Sequence, residues 1–270
     1  MLDELLRRWG ASDPEPVAVT PTSRVFRVRR RDGTAIVKDL TPIGVTDELR
    51  GADLLEWRNG KDYVRLLDRD GPTLLMEDAG TYSLLDHLDE HGDAAATAIA
   101  ADALVAMHAP VDRPIPGTLL PLEDQFASLF AVPPTGTDPL LLEAADLARL
   151  LLQDQRDVRP LHGDFHHENL LLNTRGWLAI DPKGLLGDSA YDAANLFYNP
   201  LGRDDLRLDP GRIRAMASVL ASTLERQPAT ILRWAFAHAC LSASWHLEDG
   251  STENAVRSLG VARAIRGVLG

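Results

Sequence analysis

The chain has 270 residues, 45% of them hydrophobic and 25% charged, a balance suited to a globular protein with a sizeable core. Forty Asp and Glu against 28 Lys and Arg give a net charge of −12; with no basic excess to neutralise phosphates, nucleic acid is excluded as a general partner, whereas an acidic cleft for a cationic substrate is compatible. No apolar run of roughly eighteen residues exists, so no membrane span is expected, and the single cysteine, Cys240, allows no internal disulfide and points to a reducing cytoplasm.

The first ten residues, MLDELLRRWG, read as a short amphipathic helix and lack the basic start, apolar middle and cleavage site of a signal peptide. Alternating or β-branched runs follow: PVAVT, RVFRVRR and TAIVKDL, then VRLLD and TLLME. Arg31-Asp32-Gly33 and Arg69-Asp70-Gly71 read as hairpin turns between such runs. One helix interrupts them, over about Thr46 to Trp57, with Asn59-Gly60 as its stop. The expected order is strand, strand, strand, helix, strand, strand.

Beyond residue 80 the pattern turns helical. DAAATAIAADALVAMHAP is a helix halted before Pro110, and Asp138 caps a helix that opens with Pro139. Further helices are expected over Gly211–Leu224, Pro228–Leu247 and Thr252–Leu269, with Cys240 buried on the second of these. Two short strands, LLLN and WLAID, flank Thr174-Arg175-Gly176. The fold class is therefore α+β: a small antiparallel β-rich lobe over residues 1–78 and a larger, mainly helical lobe over 79–270, the outline of a protein-kinase-like two-lobe fold.

The chemistry concentrates in residues 161–184, LHGDFHHENLLLNTRGWLAIDPKG. His162, Asp164, His166, His167 and Glu168 could be metal ligands, but the H-E-x-x-H spacing of helical zinc sites is missing and no second His/Cys cluster completes a cage. A phosphoryl-transfer loop fits better. His162, Asp164 and Asn169 reproduce the His-x-Asp-x4-Asn spacing of the kinase catalytic loop, with Gly163 where kinases carry arginine, and Asp181 stands where the second metal-binding aspartate belongs. Asp164 is then the base that takes the proton of the attacking hydroxyl, and Asn169 and Asp181 hold Mg²⁺ through oxygen. His162 braces the loop through its ring nitrogens, and one of His166 and His167 packs or orients it.

The first lobe should supply a phosphate-gripping lysine. Lys38 ends the run TAIVK as the lysine does in V-A-I-K, with Glu48 as its expected partner and Glu56 as the alternative. The glycine-rich loop G-x-G-x-x-G is absent; TPTSRVFRV occupies its place, where Ser23 can approach phosphate and Arg24 is the second choice. LLMEDAG is placed as the lobe hinge, with the backbone near Glu77 and Asp78 meeting the adenine edge.

The segments LHGDFHHEN, GWLAIDPKGLLGDSAYDAANLFYNP and LSASWHLEDG resemble the aminoglycoside phosphotransferase family, with its H-G-D-x-x-x-x-N loop. The IDPKG tract brings the chain closer still to the aminoglycoside/hydroxyurea resistance kinases, the branch that includes streptomycin 6-phosphotransferases. The resemblance runs from about Arg24 to Gly250 and implies ATP-dependent transfer, with GTP as the alternative nucleotide, to a hydroxyl of a small cationic acceptor such as streptomycin. It also implies an antibiotic-resistance role, with Lys183 and Asp192 supporting the metal site. Guanidinium groups of the acceptor could pair with Asp188, Glu248 or Asp249 and stack on Tyr191 or Trp245. A kinase of another metabolite or of hydroxyurea, a nucleotide-binding module without turnover and a metal-dependent hydrolase are the alternatives. A monomer or homodimer is expected.

Overall fold

The computed structural model of the protein describes residues 2–270. Helix α1 (Leu2–Arg8) leads into strands β1 (Ala11–Val19), β2 (Ser23–Arg30) and β3 (Gly33–Leu40); α2 (Pro42–Arg58) follows, then β4 (Leu66–Asp70) and β5 (Thr73–Glu77). The strands form one antiparallel sheet in the order β1-β2-β3-β5-β4. Two boundaries differ from the sequence pattern, each for a local reason. β1 starts at Ala11 rather than Pro16, because an edge strand with two register slips tolerates Pro14 and Pro16. α2 starts at Pro42 rather than Thr46: the Thr41 hydroxyl accepts the Gly44 N–H as N-cap, and Pro42 fills the first helical turn, where its missing N–H costs nothing.

Alternation along β3 sorts the side chains of the first lobe. Ala35 and Val37 join Val28 and Leu75 in a small core closed by Leu6 and Trp9. Lys38 points to the opposite face, toward α2.

The second lobe contains α3 (Leu84–His91), α4 (Asp93–His108), β6 (Leu120–Pro121), α5 (Leu122–Gln125), α6 (Ala127–Phe130), α7 (Pro139–Gln153) and β7 (Val158–Leu161). The hairpin β8 (Leu170–Asn173) and β9 (Gly176–Ala179) comes next, then β10 (Leu185–Asp188), α8 (Ala194–Tyr198) and α9 (Asp204–Arg207). It ends with α10 (Pro210–Thr223), α11 (Pro228–Glu248) and α12 (Thr252–Leu269). Helix α3 escaped the sequence reading, although Ser83 and Asp86 form a reciprocal capping box at its start. α11 is the central helix: every residue from Trp234 to Ser244 is buried, and its alanines and serines let α7, α8, α10 and α12 close around it. Cys240 lies in this core with its thiol toward the Leu140 carbonyl. Among the described residues no helix is long and apolar enough to cross a membrane.

Close backbone contact fixes α2 against the segment after β9. A Cβ on Gly51 would stand 1.8 Å from the Pro182 carbonyl oxygen, and one on Gly184 would stand 2.6 Å from the Arg50 carbonyl oxygen. Both clashes are with backbone, which cannot swing aside. Gly51→Ala should therefore destabilise the fold by about 1–3 kcal/mol, read as a lower urea midpoint; an unchanged midpoint would contradict this packing.

Candidate active site

β7 delivers the chain into the loop 162–169, and a buried aspartate from the opposite side fixes its path. Asp192 accepts the N–H groups of His162 at 2.8 Å and Gly163 at 2.7 Å, while His108 Nε2 lies 2.9 Å from the same carboxylate. Burial opposes its charge, but the bonds from His108 and the Gly163 N–H hold the Asp192 carboxyl below the usual carboxylate range. Gly163 has φ +79°, and a Cβ there would lie 2.6 Å from the Leu185 side chain, which accounts for glycine in place of the kinase arginine. The His162 ring has both nitrogens occupied. Nε2–H donates to the Ile180 carbonyl at 2.8 Å, and Nδ1 accepts the Asp164 N–H at 3.2 Å. Burial lowers its pKa, so it stays neutral and holds the loop rather than moving protons.

Asp164 and Asn169 face each other across this loop. Asn169 Nδ2 donates to the Asp164 carbonyl at 2.9 Å, and among the described residues its Oδ1 has no hydrogen-bond donor. Burial lifts the Asp164 carboxyl above its ordinary pKa, opposed by nearby Lys183. The Lys183 N–H donates to the His162 carbonyl at 2.7 Å, tying the segment after Asp181 to the loop.

The first lobe meets this loop through Lys38. Its Nζ lies 2.7 Å from Glu48 Oε2 and 3.0 Å from Asp181 Oδ1, so one ammonium joins β3, α2 and the segment that follows β9. Burial works against its charge, yet Asp181 and Glu48 together raise its pKa. Asp181 takes φ +53°, an uncommon conformation for a non-glycine residue that turns its carboxylate into the cleft. The alternative partner Glu56 is ruled out: it is exposed and lies 3.7 Å from Arg69 of β4, because α2 runs away from Lys38 after its first turns. Ser23 is buried at the start of β2, with its hydroxyl 3.3 Å from Thr20 Oγ1. Its turn is fastened to the start of α2, since the Thr41 N–H and hydroxyl each donate, at 2.8 Å, to the Thr22 and Pro21 carbonyls. Arg24 instead pairs with Asp39.

Between the lobes, Val25, Ile36, Val64, Met76, Leu171 and Ile180 line an apolar slot with Lys38 and Asp181 at one end. The Glu77 N–H already donates to the Arg65 carbonyl at 2.9 Å, and its carboxylate binds Arg175 from the β8–β9 hairpin at 2.5 Å. The Glu77 side chain is therefore a clamp between lobes. Beyond it, Asp78 and Ala79 make no backbone–backbone hydrogen bond outside the strand ladders among the described residues. The Asp78 carboxylate is held by Arg27 at 2.8 Å.

The two adjacent histidines diverge. His166 Nδ1 accepts the Glu168 N–H at 3.3 Å, capping the turn, and its ring retains some exposure. His167 is buried and, among the described residues, its Nδ1 has no partner. Burial, helped by Arg212, pushes its pKa down to about 3. An unfolded histidine takes its proton near pH 6.5, so the unfolded chain binds more protons than the folded one below that pH. Stability should thus fall as pH drops from about 6.5 toward 4, by roughly 1.4 kcal/mol per pH unit for such a group. His167→Gln should flatten the dependence of urea stability between about pH 6.5 and 5; an identical slope in both proteins would contradict this. Among the described residues no group of three or more His, Cys, Asp or Glu side chains gathers as a metal cage.

A second, polar cavity of ≈ 390 Å³ opens beside Lys183. Trp245, Glu248 and Asp249 line it, joined by Asp47, Arg50 and Gln125, which the sequence reading did not single out. Two other expected acceptor contacts are not available there. Both oxygens of Asp188 are used at 3.0 Å, by the N–H groups of Arg156 and Ala190. Tyr191 is buried, its ring edge-on to Phe126 and Trp234, and its hydroxyl lies 3.0 Å from His238 Nδ1. Asn195 is a further residue not anticipated: its Nδ2 donates to Asp164 Oδ1 at 2.9 Å. It arrives from α8 with no spacing signal that would mark it.

Comparison with known proteins places these features in context. Residues 8–250 match the family described as aminoglycoside/hydroxyurea antibiotic resistance kinase. The chain is 38% identical to the streptomycin 3''-kinase of Klebsiella pneumoniae over 91% of its own length and 92% of the relative's. It is 30% identical to the streptomycin 6-kinase of Streptomyces glaucescens, covering 99% and 89%. Among solved structures, the aminoglycoside phosphotransferase APH(4)-Ia, as a thermostable mutant in ternary complex with AMP-PNP and hygromycin B, superposes with a TM-score of 0.70. That match covers 98% of this chain and 97% of the other at 16% identity.

Proposed function

The chain belongs to the aminoglycoside/hydroxyurea antibiotic resistance kinases, and from that premise we propose that it transfers the γ-phosphate of ATP to a hydroxyl of streptomycin. The observation that carries this reading is the 38% identity to a streptomycin kinase along nearly the whole of both chains. The meeting of Lys38, Glu48, Asp181, Asn169 and Asp164 around one cleft supports it.

In this reading the adenine enters the apolar slot and its edge meets the backbone at Asp78 and Ala79. Lys38, held by Glu48, contacts the α- and β-phosphates. Asn169 Oδ1 and the Asp181 carboxylate suit Mg²⁺, since both are oxygen donors and the Asn169 amide nitrogen is already committed to the loop. When bound, Mg²⁺ neutralises charge on the phosphate oxygens. The acceptor hydroxyl donates to Asp164. As its oxygen bonds to the γ-phosphorus, the bond to the β–γ bridging oxygen breaks, ADP departs and the proton passes to the Asp164 carboxylate. The raised pKa of that carboxyl brings it nearer to what a base working at neutral pH needs. Glu248, Asp249 and Asp47 bind the guanidinium groups of streptomycin, and Trp245 offers a face for stacking.

The test is ADP release by purified protein with ATP or GTP and a panel of streptomycin, hydroxyurea, hygromycin B and choline. Streptomycin should stimulate release most strongly. Stimulation by hydroxyurea alone would replace streptomycin as the acceptor.

A further inference from the structure

A buried chain of hydrogen bonds runs from Asp164 into the core of α11, and chemistry fixes its direction. A carboxylate only accepts, so the Asn195 atom 2.9 Å from Asp164 Oδ1 must be the amide nitrogen. Asn195 Oδ1 then faces inward, where Asn199 Nδ2 lies at 2.9 Å and His238 Nε2 at 3.1 Å. An amide oxygen only accepts, so His238 must carry its proton on Nε2. Its Nδ1 is left as an acceptor, and the Tyr191 hydroxyl donates to it at 3.0 Å. Asn195, Asn199, Tyr191 and His238 are all buried. Among the described residues Asp164 Oδ2 has no side-chain or backbone hydrogen bond, whereas Oδ1 is taken by Asn195.

Resting on the kinase reading above, we infer that Asn195 is a positioning residue for the base. By binding Oδ1 it sets the Asp164 carboxylate so that Oδ2 faces the acceptor hydroxyl, and His238 acts through Asn195 by fixing its amide. Without His238 the Asn195 oxygen is held by Asn199 alone, so the amide that sets the Asp164 carboxylate is less firmly fixed. A displacement of the base by even a fraction of an ångström costs rate at the chemical step and leaves nucleotide binding, made by Lys38 and the hinge, untouched. Burial pushes the His238 pKa down to about 4, so the ring stays in the neutral form this chain of bonds needs.

The experiment is steady-state kinetics with ATP and streptomycin for Asn195→Ala, His238→Phe, His238→Gln, the Asn195→Ala/His238→Phe double variant and Asp164→Asn, with thermal midpoints to show that each is folded. Asn195→Ala and His238→Phe should each lower kcat by about 10–100-fold, the range seen when supporting partners are removed, with KM for ATP within about twofold. The double variant should be no slower than Asn195→Ala alone, because a residue acting through another has nothing left to act on. His238→Gln, whose amide can still donate, should recover part of the rate. If His238→Phe does not fold, His238→Gln combined with Asn195→Ala tests the same non-additivity. Nitrogen-15 NMR of histidine-labelled protein should show His238 neutral with its proton on Nε2. A normal kcat in Asn195→Ala beside a slow Asp164→Asn would overturn the inference and leave the kinase reading standing, as would multiplicative losses in the double variant or an Nδ1–H tautomer. A normal kcat in Asp164→Asn would overturn both.

Discussion

Asp164→Asn is expected to lower kcat by about 10²–10⁴-fold while ATP affinity stays within a small factor of wild type. The substitution keeps the size and shape of the side chain. The loop around it is held by backbone groups that the change does not touch: the Asp164 N–H on His162 and the Asp164 carbonyl under Asn169. What disappears is the acceptor for the proton of the attacking hydroxyl. An amide cannot take that proton near neutral pH, so the alkoxide character needed for attack must develop unaided. Lys38 and Asp181 remain paired and the apolar slot is unaltered, which is why nucleotide binding should survive. Isothermal titration with a non-hydrolysable ATP analogue beside turnover measurements separates the two quantities. Loss of both together would mean that the variant had disturbed the loop instead of the chemistry.

The second large effect is expected at Lys38. Lys38→Met keeps the aliphatic stem but removes the cation between Glu48 and Asp181, leaving two carboxylates that had shared it facing one cleft. A lost phosphate contact in a water-poor site costs about 10²–10³-fold in rate, and the unscreened pair adds repulsion toward the triphosphate. The expected result is a fall in kcat/KM for ATP of about that size, with KM for the acceptor little changed. Glu48→Gln should be milder, since Asp181 still holds the ammonium. Equal activity in wild type and Lys38→Met would remove the lysine from the nucleotide site.

These two residues were legible because their signals are local. Period-two alternation puts Lys38 on the face away from Ala35 and Val37, and the separations among His162, Asp164, Asn169 and Asp181 reflect one loop followed by one hairpin. The chain order of strands and helix in the first lobe and the long helices α4, α7, α10, α11 and α12 were readable on the same grounds, from turns, caps and apolar spacing, whereas the single-turn helices α5, α6 and α9 are too short to carry such a signal. What stayed hidden depends on chain segments far apart in sequence. The clamp made by the Glu77 side chain appears only when Arg175 arrives on it from the β8–β9 hairpin. Asp188 and Tyr191 are polar and sit near the motif, which makes them plausible acceptor contacts; burial and internal hydrogen bonds turn them inward. Asn195, His108 and His238 have no helical or strand periodicity to set them apart from ordinary core positions. Their roles appear only once α4, α8 and α11 are packed. The choice of Glu48 over Glu56 likewise rests on how α2 is angled, and that angle is set by backbone contacts at Gly51 and Gly184.

Phosphoryl transfer to streptomycin through Asp164 is read out by phosphorus-31 NMR of streptomycin incubated with ATP, Mg²⁺ and the purified protein. The expected result is a new phosphomonoester resonance on streptomycin that grows in step with ADP and is absent with Asp164→Asn. ADP without phosphorylated streptomycin, or an equal yield of product from Asp164→Asn, would contradict that transfer.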